Sequence, residues 1–334
     1  MLEQIGAAIL AIVLGCAGAI AYFWGGNWIV SRLLDRPSGG GLPRSSSVAD
    51  RVRPWIFLLP ALLFLSLFLV YPAFDTLFLS LFDKSSTFVG LHNYLWALSD
   101  PSFQQAALNN ALWLVLVPAL ATAFGMLIAL LADQVWWGNI AKSLVFMPMA
   151  ISFVGASVIW KFVYDFRPPG SGQVGLLNAA ITALGLPPQA WLTLPVWNSI
   201  LLMVILIWIQ TGFAVVVLAA ALRGVPPDTV EAARIDGANA FQVVFRIILP
   251  QMRGTVFVVW TTITIITLKV FDTIFAMTNG QWNTEVLANL MFKWMFVNLD
   301  YGRASTIAVV IMLAVLPILV WQVRHAYRQE RARD

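Results

Sequence analysis

Seven long apolar stretches constrain this chain more than any other feature of its sequence. They run near Ile5–Val30, Trp55–Phe82, Ala106–Leu131, Asn139–Val163, Trp197–Leu222, Thr255–Thr278 and Ser305–Val323. A helix needs roughly 20 mostly apolar residues to cross a bilayer, and each stretch is long enough. Of the 334 residues, 60% are hydrophobic and only 11% charged, against roughly a quarter charged in a soluble domain. So few charges cannot cover a soluble surface of this size, and the apolar excess must face lipid. The chain therefore reads as an all-α integral membrane protein of about seven transmembrane helices. Pro60, Pro72, Pro118, Pro148 and Pro317 interrupt the stretches. Membrane helices tolerate proline where neighbours satisfy the freed carbonyl, so the second span is expected to kink, or to end near Tyr71-Pro72.

Charge placement sets the orientation. The segments that share one side in a seven-span chain carry Arg32, Arg36, Arg44, Arg51 and Arg53, then Lys142, then Arg223, Arg234, Arg246 and Arg253, and finally Arg324, Arg328, Arg331 and Arg333. These are 14 of the 20 Lys and Arg residues. The other side holds Lys84, Arg167, Lys293 and Arg303. Lys and Arg favour the cytoplasmic side, so the N-terminus is expected outside and the C-terminus in the cytoplasm. Trp24, Trp28, Trp55, Trp136, Trp137, Trp191 and Trp197 fall near span ends, where interfacial anchors belong. The first stretch lacks a positive start and is too long for a cleaved signal, so it reads as a retained helix. Four segments follow: an N-terminal transmembrane helix over 1–30, a flexible basic cytoplasmic linker over 31–53, a six-span body over 54–323 and a basic cytoplasmic tail over 324–334. The Gly, Ser, Pro and Arg of the linker cannot bury a core.

The cytoplasmic loop over 223–253 is the most informative segment. Pro226 and Pro227 suit a helix start, where a missing N–H does no harm. Asp228 and Glu231 sit in the first turn, where the helix dipole favours negative charge. Gly237 can take a positive φ and stop that helix. Asn239 can cap a second one, which carries Phe241, Val244, Phe245 and Ile248 on one face and is expected to end at Leu249-Pro250. Such an apolar-faced helix either lies on the inner leaflet or docks in the groove of a soluble partner. Periodicity alone does not choose.

A resemblance does. Glu231-Ala232-Ala233, Asp236-Gly237, Ile247 and Leu249-Pro250 stand at the spacing of the EAA loop, and the chain is identified as similar to ABC importer permeases. More of the chain agrees with the maltose-type carbohydrate branch: Phe88-Val89-Gly90-Leu91-His92-Asn93-Tyr94, Pro148-Met149-Ala150 and Thr278-Asn279-Gly280. The runs Trp136–Ser143, Ile207–Phe213 and Met277–Trp282 look closest to α-glucoside permeases. The resemblance covers most of residues 54–323. The extra N-terminal span departs from the minimal pattern and suits the larger, MalF-like member of a heterodimer. The resemblance implies a bacterial or archaeal cytoplasmic (inner) membrane and four kinds of partner. These are a second, MalG-like permease, an ATPase dimer that carries the ATP and Mg, an extracytoplasmic sugar-binding protein, and the lipid bilayer. It implies no cofactor on this chain. Glu231, Ala232, Ala233 and Gly237 would dock the ATPase.

Polar groups within spans suggest a pathway. Lys269 and Asp272, three apart, are expected to share a helix face and pair, either as a structural bridge or beside a substrate. Gln210 and Thr211 suit interhelical hydrogen bonds or sugar hydroxyls. Met149, Ser152 and Phe153 are either core packing or pathway. In maltose-type permeases the positions matching Met149, Phe153, Gln210, Thr267 and Val270 lie at or near the sugar, and the substrate-pathway candidates are Met149, Ser152, Phe153, Gln210, Thr211, Thr267, Lys269 and Asp272. Amides and apolar faces suit a neutral sugar, and no basic cluster fits a phosphorylated one.

Other chemistries find no support. Gly170-x-Gly172-x-x-Gly175 formally matches a dinucleotide fingerprint but has no strand before it. There is no GxxxxGK[ST], HExxH or GxSxG, and the single Cys16 and the distant His92 and His325 make no metal set. No basic, aromatic-laced soluble patch suggests nucleic acid. An ion-gradient-driven transporter or channel remains the alternative to an ATP-driven permease, and a membrane enzyme is disfavoured because no nucleophile–base pair is visible.

Overall fold

In the computed structural model, residues 2–34 and 47–331 are described, with side chains over 4–32 and 50–324. Among the described residues the regular structure is helical apart from one isolated antiparallel bridge, Phe82 with Phe88. Six helices are long and apolar enough to cross a membrane: Gln4–Arg32, Asp50–Leu79, Pro101–Ala132, Trp197–Leu222, Ala240–Leu268 and Tyr301–Arg324. The pair Gly138–Ala150 and Phe153–Val163 makes a seventh span if its two halves are counted as one. The expectation of about seven spans holds.

The chain divides into two compact units, 1–75 and 76–334. In the first, α1 (Leu2–Leu34) lies against α2 (Ser47–Leu65). Tyr22 Oη donates to the Ile56 carbonyl at 2.9 Å, Arg53 reaches Ser31 Oγ at 3.2 Å, and Phe23 stacks on Phe57. The apolar windows of these two spans bury no residue, so their side chains face outward. Of the linker read over 31–53, residues 31–34 are helical in α1 and 47–53 in α2. Residues 35–46, with Arg36 and Arg44, lie outside the described residues. A π-helical turn, Ser66–Val70, joins α2 to α3 (Tyr71–Leu79). The second span therefore does not end at Tyr71-Pro72. The wider turn just before Pro72 relieves the clash between the proline ring and the preceding carbonyl.

The second unit opens with α4 (His92–Ser99) and α5 (Pro101–Ala132). Asp100 caps α5 by accepting from Phe103 N at 3.0 Å, with Pro101 in the first turn. Next come α6 (Gly138–Phe146), a 3-10 turn at Met147–Ala150, α7 (Phe153–Val163) and α8 (Leu176–Ala183). The spine is α9 (Trp197–Leu222), which packs along α5. Gly125 meets the Ala214 Cβ with no room for a side chain, the close approach that small residues give membrane helices. Trp113, Val117 and Ala121 of α5 and Leu202, Leu206 and Leu218 of α9 form the core between them. After α10 (Pro227–Ile235), a short α11 (Ala240–Gln242) and a π turn at Val243–Ile248 lead without a break into α12 (Leu249–Leu268). The unit closes with α13 (Asp272–Met277), α14 (Leu287–Phe292), a π turn at Lys293–Val297 and α15 (Tyr301–Arg331).

Three expectations change here. The fourth span is not straight: it bends by 104° between Ala150 and Phe153. Ser152 leaves the helical region, with ψ 151°, and its Oγ accepts from Gly155 N at 3.0 Å to cap α7. The helix over Phe241–Ile248 does not end at Leu249-Pro250. A π turn precedes Pro250 as one precedes Pro72, and the helix runs on to Leu268. The sixth span accordingly covers Ala240–Leu268 rather than Thr255–Thr278.

Candidate functional site

The loop at one end of the unit is built from its own caps. Pro226 stands at the N-cap of α10 and Asp228 in its first turn. At the far end Gly237 adopts φ +85°. Its N–H bonds the Arg234 carbonyl at 3.1 Å and the Ala238 N–H bonds the Ala233 carbonyl at 3.0 Å, the paired closure of a Schellman turn. Asn239 and Gln242 then form a reciprocal capping box, both bonds at 2.9 Å. Val230, Ala233 and Ala238 pack inward against the core, as do Val244 and Leu249.

The outward surface of α10 differs from the motif residues alone. Glu231 and Arg234 line a cleft of about 700 Å³ whose other wall includes Asp133 and Gln134 at the end of α5. Ala232 is exposed and Ala233 half-buried, while Ile235, Asp236 and Gly237 form the projecting end. Ile235 is 80% exposed. It escaped the sequence reading because it falls between the motif positions Ala233 and Asp236, although an isoleucine in the last turn of a polar helix was the available signal. No side chain approaches a Cβ built on Gly237. Ile247 and Leu249 are half-buried and Pro250 is exposed on the α12 side. Gln251 Nε2 donates to Thr229 Oγ1 at 3.3 Å and ties α10 to α12.

The substrate-pathway candidates fall into three groups. Phe153, Lys269 and Asp272 come together, with Leu206, Ile266, Val270, Phe271 and Thr273, around a small cavity of about 40 Å³. Two breaks meet there: the bend before Phe153 and the interruption at 269–271 between α12 and α13. Lys269 and Asp272 therefore do not share a helix face, and no ion pair joins them. Lys269 caps the end of α12 and Asp272 opens α13, each sign suited to its helix end. Broken spans with facing half-helix ends are how membrane transporters build midplane sites.

Gln210 and Thr211 form the second group, at 3% and 6% exposure on α9. Neither side chain has a hydrogen-bond partner among the described residues, so interhelical bonding within this chain is not their role. Gln210 stands one turn beyond Leu206, which lines the cavity, and therefore on the same helix face. The remaining candidates are set apart. Thr267 is fully buried and bonds the Ile263 carbonyl of its own helix at 2.7 Å. Ser152 serves as a cap, and Met149 is exposed on the 3-10 turn. Sequence reasoning missed Phe271 and Thr273, because it treated 269–278 as one helix. A basic residue followed three positions later by an acidic one was the signal for two helix ends.

The opposite end of the unit is fastened by amides. Asn109 Nδ2 bonds the carbonyls of Asn283 and Glu285, Asn110 bonds Leu287 N and the Leu268 carbonyl, and Asn198 bonds the Trp282 carbonyl. Glu285 pairs with Lys293 and accepts from Asn289. No group of three or more His, Cys, Asp or Glu residues able to hold a metal occurs among the described residues. Gly170, Gly172 and Gly175 lie in a loop with no strand before them.

Residues 107–329 match the family described as "Binding-protein-dependent transport system inner membrane component". The chain is 57% identical over 332 residues, 98% of its own length and 99% of the relative's, to the alpha-glucoside transport system permease protein AglF of Rhizobium meliloti (strain 1021). It is 50% identical over 279 residues, 83% of its length and all of the relative's, to the osmoprotective compounds uptake permease protein GgtC of Synechocystis sp.. Its fold matches a chain of a bacterial ABC transporter involved in import of the acidic polysaccharide alginate, with a TM-score of 0.72 at 22% identity over 84% of this chain and 97% of that one.

Proposed function

This chain belongs to the family of binding-protein-dependent transport system inner membrane components and is the multi-pass permease subunit of an ABC-type sugar importer; we propose that its cargo is a neutral α-glucoside or a similar di- or oligosaccharide. The likeness over nearly the whole chain to an alpha-glucoside permease supports that cargo. The chain is also similar, over a smaller share, to an osmoprotective-compound permease. The unpaired Gln210 carboxamide, one helical turn from the cavity-lining Leu206, suits a neutral polyol, since an amide both donates to and accepts from hydroxyls.

The coupling mechanism follows from one observation: α10 is an exposed knuckle tied to the continuous rod that ends at the cavity. The helix from Ala240 to Leu268 spans about 43 Å at 1.5 Å per residue. A partner gripping Ile235, Asp236 and Gly237, with Glu231, Ala232 and Ala233 behind them, would move α10. The Thr229–Gln251 bond and the packing of Val230 and Ala233 would carry that movement into α12. At the far end, α12 abuts the Lys269–Thr273 break and Phe153. Closure of an ATPase dimer around ATP and Mg thus becomes a rigid-body switch at the pathway, with no cofactor or hydrolysis on this chain. The loop then faces the cytoplasm of a bacterial or archaeal cell, with the N-terminus outside. The heterologous second permease and an extracytoplasmic sugar-binding protein complete the assembly.

Purification of the chain with its neighbours, followed by reconstitution, tests this. We expect an ATP-binding subunit to copurify and α-glucoside uptake to need ATP and binding protein. Uptake by the chain alone, driven by an ion gradient, would support the secondary-transporter alternative and overturn the proposal. Uptake of an osmoprotectant that α-glucosides do not compete with would overturn the cargo alone.

A further inference from the structure

The loop over 279–283, between α13 and α14, has its backbone held from within and its side chains free. Lys293 Nζ bonds the Asn279 carbonyl at 2.7 Å and Thr284 Oγ1 that of Gln281 at 2.7 Å. Asn198 Nδ2 bonds the Trp282 carbonyl at 2.7 Å and Asn109 Nδ2 that of Asn283 at 2.8 Å. Gly280 lies against the Glu285 carboxylate with no room for a side chain. This grip holds Asn279 at φ +48°, Trp282 at +54° and Asn283 at +63°. A tryptophan in that region is an outlier. Such conformations persist where the surroundings over-determine them, and they cluster at functional sites.

What the loop presents is polar but uncharged. Asn279, Gln281, Trp282 and Asn283 are all exposed, and Trp282 keeps 47% of its surface open. The three side-chain amides and the indole N–H make no hydrogen bond among the described residues. That sets them apart from Asn109, Asn110, Asn178 and Asn198, whose amides all bond backbone. Glu285 and Lys293, next to the loop, pair with each other. The loop is also joined to the cavity. It follows α13, whose first residues Asp272 and Thr273 line that cavity and whose six residues span about 9 Å. Asn198, which holds the Trp282 carbonyl, opens α9, the helix that carries Leu206 and Gln210.

These groups select an occupant. Lipid tails would leave three amides unbonded, at a cost. Amides that donate and accept, beside an indole with a flat apolar face, match the hydroxyls and the C–H face of a pyranose ring. We infer that the 279–283 loop is a receiving site for a neutral saccharide, ahead of the cavity. The Trp282 indole lies against one sugar ring, and the amides of Asn279, Gln281 and Asn283 bond its hydroxyls. The inference rests on the saccharide cargo proposed above and adds a second place on this chain where that cargo is held. Because the backbone is already fixed, little ordering is needed when the sugar arrives.

Photoreactive diazirine derivatives of maltose and of trehalose, supplied on the binding protein to the full complex, test this. Mass spectrometry should find the 279–283 segment labelled, and excess unmodified sugar should suppress the label. In the same complex Trp282→Ala should slow uptake at saturating binding protein about tenfold, the factor that 1.4 kcal/mol represents. Trp282→Phe should restore most of the rate and Trp282→Leu should not. The concentration of binding protein that gives half the maximal rate should stay the same. Label confined to the cavity residues, or absent from this chain, would overturn the inference. Equal rates in the Phe and Leu variants would overturn it too, since bulk alone would then matter. A raised half-saturating concentration with an unaltered maximal rate in Trp282→Ala would mean that the loop docks the binding protein instead. Should Trp282→Ala fail to assemble, labelling of the wild-type complex decides. A wild-type complex that takes up neither sugar would sink the cargo reading and this site together, whereas normal uptake with an unlabelled loop would sink this site alone.

Discussion

The two ends of the second unit are built on opposite plans. At the α10 end, α10 is shaped by bonds within its own loop: a Schellman turn at Gly237, a capping box at Asn239 and one side-chain bond to α12 through Gln251. Its last turn offers Ile235 to solvent. At the other end, Asn109, Asn110 and Asn198 reach from α5 and α9 into the backbone of 268–287, and Lys293 holds Glu285. Left-handed φ values at Asn279, Gly280, Trp282 and Asn283 are held by that network. One end is shaped by bonds between near neighbours in sequence. The other is held by amides that bond backbone far along the chain.

Variants should separate the two plans. The largest stability loss is expected for Lys293→Met, which leaves the buried Glu285 carboxylate without its cation, at about 3 kcal/mol. Thermal unfolding in detergent should show it, with the ATPase subunit still retained. Loss of the ATPase with unchanged unfolding would break the contrast. Asn110→Leu leaves Leu287 N and the Leu268 carbonyl unpaired and should cost about 2 kcal/mol, again with docking intact. Gly237→Leu places a side chain at φ +85°, where strain is about 1–2 kcal/mol. Its main effect should be on function: uptake falling about tenfold while membrane insertion is normal, the factor corresponding to 1.4 kcal/mol of weakened coupling. Normal uptake by that variant would argue against the docking role of the knuckle. Asn239→Ala removes a cap worth about 1 kcal/mol and should slow uptake modestly; an effect as large as that of Gly237→Leu would mean that the second helix, and not α10, makes the contact.

Much of the α10 end was legible in the sequence. Pro226, Gly237 and Asn239 act through their own backbones and near neighbours, so their roles follow from residue type and spacing. Ile235 was not legible, because the exposure of one apolar residue depends on which way the helix sits. The other end was nearly silent: Asn109 and Asn110 reach residues more than 150 positions away, and an asparagine does not announce its partner. The pathway was half legible. Lys269 and Asp272 were marked as unusual within an apolar stretch, yet their pairing failed once the helix proved to be broken between them.

The sequence by itself determined that this chain is helical and spans a membrane about seven times, because apolar length and scarce charge leave no other solvent for it. It also determined the α10 knuckle, whose caps are local. Only the tertiary structure decided where spans bend, end or continue. Pro72 and Pro250 are passed through π turns, while the fourth span breaks near Pro148 and the sixth ends at Lys269. A proline or a polar residue frees backbone groups in every case, and whether the helix survives depends on the turn geometry and on the neighbours that packing brings to satisfy them.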